Sequence, residues 1–377
     1  MTEDRAGSGP VASFPSRRVT LLGLAAALSL PSASTGAPRS GDARLPSLRD
    51  LGRSKGIEIG AAYSGHSDPR YRSLLASQVG LITPEWCLKP GFLQPTRDAP
   101  YRFALADETY AYARKAGLSV HGHTLFWHGD PLTWVGDGST SEALSAYRAL
   151  AKATMSRYSD TVSWDVANEV VSDPGEAWRA QAGFEKPVEA VATLFRDAAA
   201  HAPGRLLCIN DYNLECGASW CDAKRQRMLG IIDELQARQV PLKVVGLQGH
   251  LSSRYGLSLD ATLSFVRQLA DRGLDVHLSE LDVNDILYPD EPGPRDEQVA
   301  KLYGRYLTAM LSERSVTRVT FWGLTDFDHW MVRDQTDDAR PAGQARPALF
   351  DRELRPKAAF WEVAACLERA PSRASRG

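Results

Sequence analysis

Two glutamates in this sequence stand where a buried strand cannot keep them. The segment Thr161-Val162-Ser163-Trp164-Asp165-Val166-Ala167-Asn168-Glu169 starts as a run of β-favouring residues and ends in an adjacent polar pair, which places Asn168 and Glu169 at an open strand end. Asp275-Val276-His277-Leu278-Ser279-Glu280-Leu281-Asp282 repeats the pattern, with Glu280 just after the apolar run. If both strands belong to one parallel sheet, their C-terminal ends share a side, and the two carboxyls can face one cleft. A carboxyl pair across a scissile bond can divide acid and nucleophile work, which is how glycosidic bonds are commonly broken. Either glutamate alone could cap a helix or pair with a surface lysine. The recurrence of the pattern carries the reading.

The elements that must position them recur through the chain. Short apolar runs at 58–62, 81–83, 119–124, 161–166, 206–209, 244–247, 275–279 and 316–322 read as strands. Between them, 107–116, 142–158, 187–202, 222–238, 260–272 and 296–313 carry apolar residues at helical spacing, and 357–367 closes the count. Eight such units predict an α/β chain folded as a single (β/α)8 barrel, since each strand-helix-strand crossover requires a parallel neighbour. An open doubly wound sheet has the same alternation but gives no reason for a polar residue after nearly every strand.

Those strand ends supply the candidate site: Glu85 and Lys89; His123 with Trp127 and His128; Asn168-Glu169; Asn210-Asp211-Tyr212-Asn213; Gln248 and His250; Glu280 and Asp282; Trp322 and Trp330. A concave rim of this kind offers hydrogen bonds to hydroxyls and indole faces to pyranose C–H groups. His123 and His128 have the spacing of a helical metal pair, but the intervening Thr-Leu-Phe-Trp reads as extended chain and no third ligand cluster supports a metal.

Composition limits the alternatives. The chain has 377 residues, 43% hydrophobic and 24% charged, with a formal net charge of −2. No basic stripe stands out, so neither nucleic acid nor an anionic membrane is expected as a partner. Ser16-Arg17-Arg18-Val19-Thr20 precedes a mild apolar run at 21–30 and then small residues. This is the layout of a twin-arginine export signal over 1–37, too short in its apolar part for a membrane span. Export to the periplasm or the medium is the expectation, followed by a linker at 38–50, a catalytic barrel at 51–368 and a disordered tail at 369–377. Of the five cysteines, Cys216 and Cys221 are close enough to bridge in an oxidising compartment, and the others read as buried apolar residues.

Six segments in register resemble glycoside hydrolase family 10, the retaining β-xylanases. They are Trp164-Asp165-Val166-Ala167-Asn168-Glu169, His277-Leu278-Ser279-Glu280-Leu281-Asp282, the stretch from His121 to His128, Ile209-Asn210-Asp211-Tyr212-Asn213, the stretch from Val245 to Leu251, and Trp322-Gly323-Leu324-Thr325-Asp326 with Trp330 and the Pro347-to-Lys357 tail. The resemblance implies Glu169 as general acid and then base, and Glu280 as nucleophile. It implies that His250, with Asp282 behind it, orients Glu280, and that Asn168 reaches the 2-hydroxyl of the sugar being cleaved. Glu85, Lys89 and His123 would bind hydroxyls. Asn213 and Gln248 would support the site, with Trp127, Trp322 and Trp330 as walls. No metal or organic cofactor is implied, and a monomer is expected. The implied reaction is double displacement at internal β-1,4 linkages of xylan or a related β-glycan. A retaining glycosidase on a bacterial exopolysaccharide is the alternative, and a carbohydrate-binding barrel without chemistry is a further one. One segment departs from the family: its usual Glu-Asn-x-x-Lys-Trp is here Glu85-Trp86-Cys87-Leu88-Lys89-Pro90. In the family that asparagine helps hold the sugar two units from the cleaved bond on the non-reducing side, so the departure bears on substrate choice.

Overall fold

Strands wrapped by helices must be apolar on both faces, and the strands of this chain are buried almost throughout. The computed structural model describes residues 45–373 apart from 137, 174, 176, 182, 185–186, 334–339 and 342. The predicted leader, the linker up to residue 44 and the tail from 374 lie outside the described residues. The helices are α1 (Leu48–Lys55), α2 (Pro69–Gln78), α3 (Pro90–Leu93), α4 (Ala104–Ala116), α5 (Thr140–Arg157), α6 (Val188–His201), α7 (Ser219–Ala237), α8 (Leu259–Asp271), α9 (Pro292–Met310), α10 (Trp330–Arg333) and α11 (Ala358–Arg369). The strands are β1 (Glu58–Tyr63), β2 (Leu81–Pro84), β3 (Ser119–His123), β4 (Ser163–Asn168), β5 (Leu206–Asp211), β6 (Val244–Leu247), β7 (His250–Ser252), β8 (Asp275–Asn284) and β9 (Val316–Phe321).

Each strand from β1 to β6 pairs in parallel with the next, β6 pairs with β8, β8 with β9, and β9 returns to β1. Eight parallel strands therefore close into the expected (β/α)8 barrel, and their C-terminal ends form one rim. Local sequence explains several joints. Ser139 and Glu142 form a reciprocal capping box that starts α5. At Gly122 a Cβ would lie 2.1 Å from the Trp164 ring, so only glycine lets that indole pack across from β4 onto β3. Inside the barrel Arg318 binds Glu58 at 2.7 Å and the Ser163 hydroxyl at 2.8 Å, so a buried charge is matched by partners.

Three expectations need correction. Glu280 lies within β8, because that strand runs on to Asn284 with a register shift against β9 between Leu278 and Leu281. The short β7, unmarked in the sequence, pairs with the distal half of β8 through His250 and Asp282. The folded unit also begins before residue 51, since α1 starts at the fully buried Leu48. It also continues past 368, where Arg373 donates to the carbonyls of Leu311 at 3.1 Å and Val316 at 3.0 Å.

Candidate active site

Glu280 is almost fully buried, and each of its oxygens faces a nitrogen. Asn210 Nδ2 donates to Oε1 at 2.7 Å, and His250 Nε2 lies 3.3 Å from Oε2. On its other side His250 Nδ1 lies 2.8 Å from Asp282 Oδ1. Burial by itself would lower the His250 pKa, but Asp282 and then Glu280 outweigh it and hold the imidazole well above its ordinary value. Asp282 is held in turn by Trp330, whose indole N–H donates to its second oxygen at 2.8 Å. A chain from Trp330 through Asp282 and His250 thus fixes one face of the Glu280 carboxylate.

Glu169 follows β4 directly and has φ 56°, a left-handed backbone that a non-glycine residue adopts only when its surroundings impose it. Here its N–H donates to the Asn210 carbonyl at 2.7 Å and its carbonyl accepts from Arg179 at 3.0 Å. The turn aims the side chain into the rim. Gln248 Nε2 donates to Glu169 Oε1 at 3.1 Å, and His128 Nδ1 lies 3.6 Å from Oε2. Burial, reinforced by Arg179, pushes His128 down to about 4, so near neutral pH it faces Glu169 uncharged.

Between the glutamates runs a belt of amides. Asn210 Nδ2 also donates to Asn168 Oδ1 at 2.9 Å, Gln248 reaches the same oxygen at 3.3 Å, and Asn210 Oδ1 accepts from Ser279 at 2.6 Å. A Cβ on Gly246 would meet Asn210 Oδ1 at 2.2 Å, so glycine on β6 makes room for this belt. The alternation of β5 could have singled out Asn210, the penultimate strand residue. Asn213 lines the cleft but lies past the strand end with φ 57°; the residue of that segment that touches Glu280 is Asn210.

All the candidates except His128, Asn210, Asp211 and Asp282 line one cleft of about 440 Å³; Asp282 stands behind His250. His123 Nδ1 lies 2.9 Å from Asp165 Oδ2, as does His121 Nε2. Burial would raise the Asp165 pKa, but the two imidazoles hold it below the ordinary carboxylate range. Lys89 Nζ sits 4.3 Å from the Trp127 ring centre, a cation–π contact. Glu85 accepts from Arg333; burial pushes its pKa up against the pull of that cation. Trp322 packs edge-on against His123 at 5.3 Å between ring centres. Sequence reasoning did not mark Ser252, Tyr255 or Asn284, which also line the cleft. Ser252 and Asn284 enter it because β7 and the distal half of β8 extend the rim.

The sequence pattern of glycosyl hydrolase family 10 matches residues 47–366. The chain belongs to this family. Among its relatives, the β-1,4-xylanase of Dictyoglomus thermophilum is 31% identical over 336 residues, covering 85% of this chain and 90% of that protein. An endo-1,4-β-xylanase of Geobacillus stearothermophilus is 28% identical over 337 residues, covering 85% and 98%. Among solved structures, xylanase 10B from Thermotoga petrophila in complex with xylobiose is similar with a TM-score of 0.78 at 28% identity, covering 87% of this chain and 99% of that one. Against this family pattern the departure after β2 acquires a geometry. Trp86 donates its indole N–H to the Ser64 carbonyl at 2.9 Å and packs edge-on against Phe92 at 4.6 Å. Pro90 is buried at the first position of α3. Trp86 is therefore not among the residues lining the cleft.

Proposed function

We propose that this family 10 chain hydrolyses internal β-1,4 linkages of xylan with retention of configuration, using Glu280 as nucleophile and Glu169 as acid and then base. One observation carries the division of labour: the two carboxyls are held differently. Glu280 is buried, with a donor at one oxygen and the cationic His250 at the other. That carboxylate is pointed in one direction and suits attack on an anomeric carbon. Glu169 is more exposed, with one oxygen on a neutral amide and the other toward an uncharged imidazole. It is free to give and take a proton.

In the first step a Glu280 oxygen bonds to the anomeric carbon as the glycosidic C–O bond breaks, and the Glu169 carboxyl protonates the departing oxygen. In the second step Glu169, now a carboxylate, takes a proton from water as that water attacks the anomeric carbon and releases Glu280. Two displacements restore the original configuration. Asn168 lines the cleft with its Oδ1 committed to Asn210 and Gln248 and its Nδ2 in a long contact of 3.5 Å with Glu169 Oε1, and that Nδ2 serves the sugar hydroxyl next to the reacting carbon. NMR of the first product from xylo-oligosaccharides tests this: the β-anomer is expected, with turnover abolished in Glu280→Gln. An α-configured first product, or active Glu280→Gln, overturns it.

Export by the twin-arginine route is part of the same reading. It is supported by Arg17-Arg18 ahead of the short apolar run and by the disulfide between Cys216 and Cys221, a pairing that suits an oxidising compartment.

A further inference from the structure

The ends of three neighbouring strands, β2, β1 and β9, are tied together by a closed circuit of side chains. Arg333, at the end of α10, donates to Glu85 with one guanidinium nitrogen and to Asp328 with another at 3.0 Å. The second oxygen of Asp328 accepts from the Ser64 hydroxyl at 2.6 Å. The Ser64 carbonyl accepts from Trp86, and Trp86 is the residue after Glu85. The circuit therefore returns to its starting point. One guanidinium shared by two largely buried carboxylates makes charge-assisted bonds that solvent screens only in part.

Among the described residues, the cleft lining reaches Glu85 of this circuit and no further member of it. Glu85, Lys89, Trp330 and Met331 line the cleft's near end, whereas Ser64, Trp86, Asp328 and Arg333 do not. At the far end Tyr212, Ser252, Tyr255 and Asn284 carry the lining outward. A sugar placed beyond Glu85 would have to draw Arg333 away from two carboxylates and leave them unpaired. That cost exceeds what one or two sugar hydrogen bonds return.

We propose that this Arg333-centred brace sets substrate length: it ends the sugar-binding cleft at Glu85 and Lys89, so that the product cut from that side is short and of one dominant length. The proposal rests on the reading of the chain as a β-1,4-glycan hydrolase and adds a specificity determinant, Arg333, outside the reacting groups.

The test compares wild type, Arg333→Ala and Asp328→Asn on end-labelled xylotriose to xylohexaose, with an aryl xylobioside as a substrate that ends within the cleft. Wild type should release one dominant short product from the β2 side. Arg333→Ala should release longer products and gain roughly three- to tenfold in kcat/KM on xylohexaose, mostly through KM, the worth of one or two hydrogen bonds. On the aryl xylobioside it should gain nothing, since that substrate ends at Glu85 and has no sugar to place where Arg333 stood. Asp328→Asn, which loosens the brace without shortening Arg333, should move the same way by less, and carries the test if Arg333→Ala does not fold. Unchanged product lengths in the folded variants, or a broad ladder of lengths from wild type, overturn the proposal while leaving the glycosidase reading intact. If wild type cuts only another β-1,4 series, the xylan reading falls and the same comparison on that series decides the brace. A wild type that cuts none overturns both.

Discussion

Replacing Asn210 by alanine should disable the site without touching either glutamate. Asn210 is fully buried and uses both amide protons, one on Glu280 at 2.7 Å and one on Asn168 at 2.9 Å, while its oxygen accepts from Ser279. The bond to Glu280 is the one that matters for rate, because it holds the oxygen that His250 does not. A hydrogen bond to a charged group contributes about 1.5 to 3 kcal/mol, which corresponds to roughly 10- to 150-fold in rate if it is lost from the transition state. Asn168 keeps Gln248 as a donor, so its loss is the smaller one. Asn210→Ala should therefore lower kcat/KM on xylo-oligosaccharides by about that range, mainly through kcat, since a nucleophile that can swing misses near-attack geometry more than it weakens binding. Asn210→Asp keeps the shape but sets a second carboxyl against Glu280, and two such groups in contact cannot both stay ionised. Its activity should recover as pH falls and the pair takes up a proton. Steady-state kinetics across pH, with the thermal midpoint of each variant, checks both outcomes. Asn210→Ala within about threefold of wild type, or Asn210→Asp with an unchanged pH profile, would refute the argument that this amide orients the nucleophile.

His250 is held well above its ordinary pKa in the folded chain, so its contribution to stability is complete below about pH 6.5, the unfolded value. That contribution is lost as pH rises through the folded value, and the thermal advantage of wild type over His250→Gln should shrink in that direction. An advantage that grows with pH would contradict the assignment. Lys357 Nζ binds the fully buried Asp326 at 2.9 Å, and burial holds Asp326 at about 6 even against this cation. Lys357→Met should cost about 3 to 5 kcal/mol at pH 8 by stranding that charge. Part of the loss should be recovered below about pH 6 as Asp326 takes a proton, and denaturant melts showing equal loss at both pH values would tell against this. Replacing Arg17 and Arg18 together by lysine should retain the leader's charge yet leave the protein in the cytoplasm; unchanged export in a fractionation assay would remove the twin-arginine reading.

The barrel and its rim were legible because their physics is local. Alternating apolar runs and helical spacings repeat within windows of a dozen residues, and a polar residue directly after an apolar run has few places to go but a rim. Glu169 and Glu280 could be read in that way, as could His250 two residues beyond Gln248 and the indoles after β9. Where the runs end was less legible. β8 continues past Glu280 to Asn284 because β7 pairs with its distal half, and nothing in three residues announces a strand. For the same reason Asn213 rather than Asn210 was singled out in the fifth segment: which side chain points inward depends on where β5 stops, at Asp211.

By itself, then, the sequence determined the fold class, the rim and the two carboxyls, since these follow from residue type and spacing along the chain. Only the tertiary structure decided which groups hold those carboxyls and where the cleft ends. Asn210 meets Glu280 across 70 positions and Arg333 meets Glu85 across 248. Those pairings depend on closure of the barrel, which brings β9 beside β1 and β1 beside β2, and on a few tenths of an ångström in the placement of side chains around it. No local periodicity encodes such contacts, because their free energy appears only once all eight strands are in register.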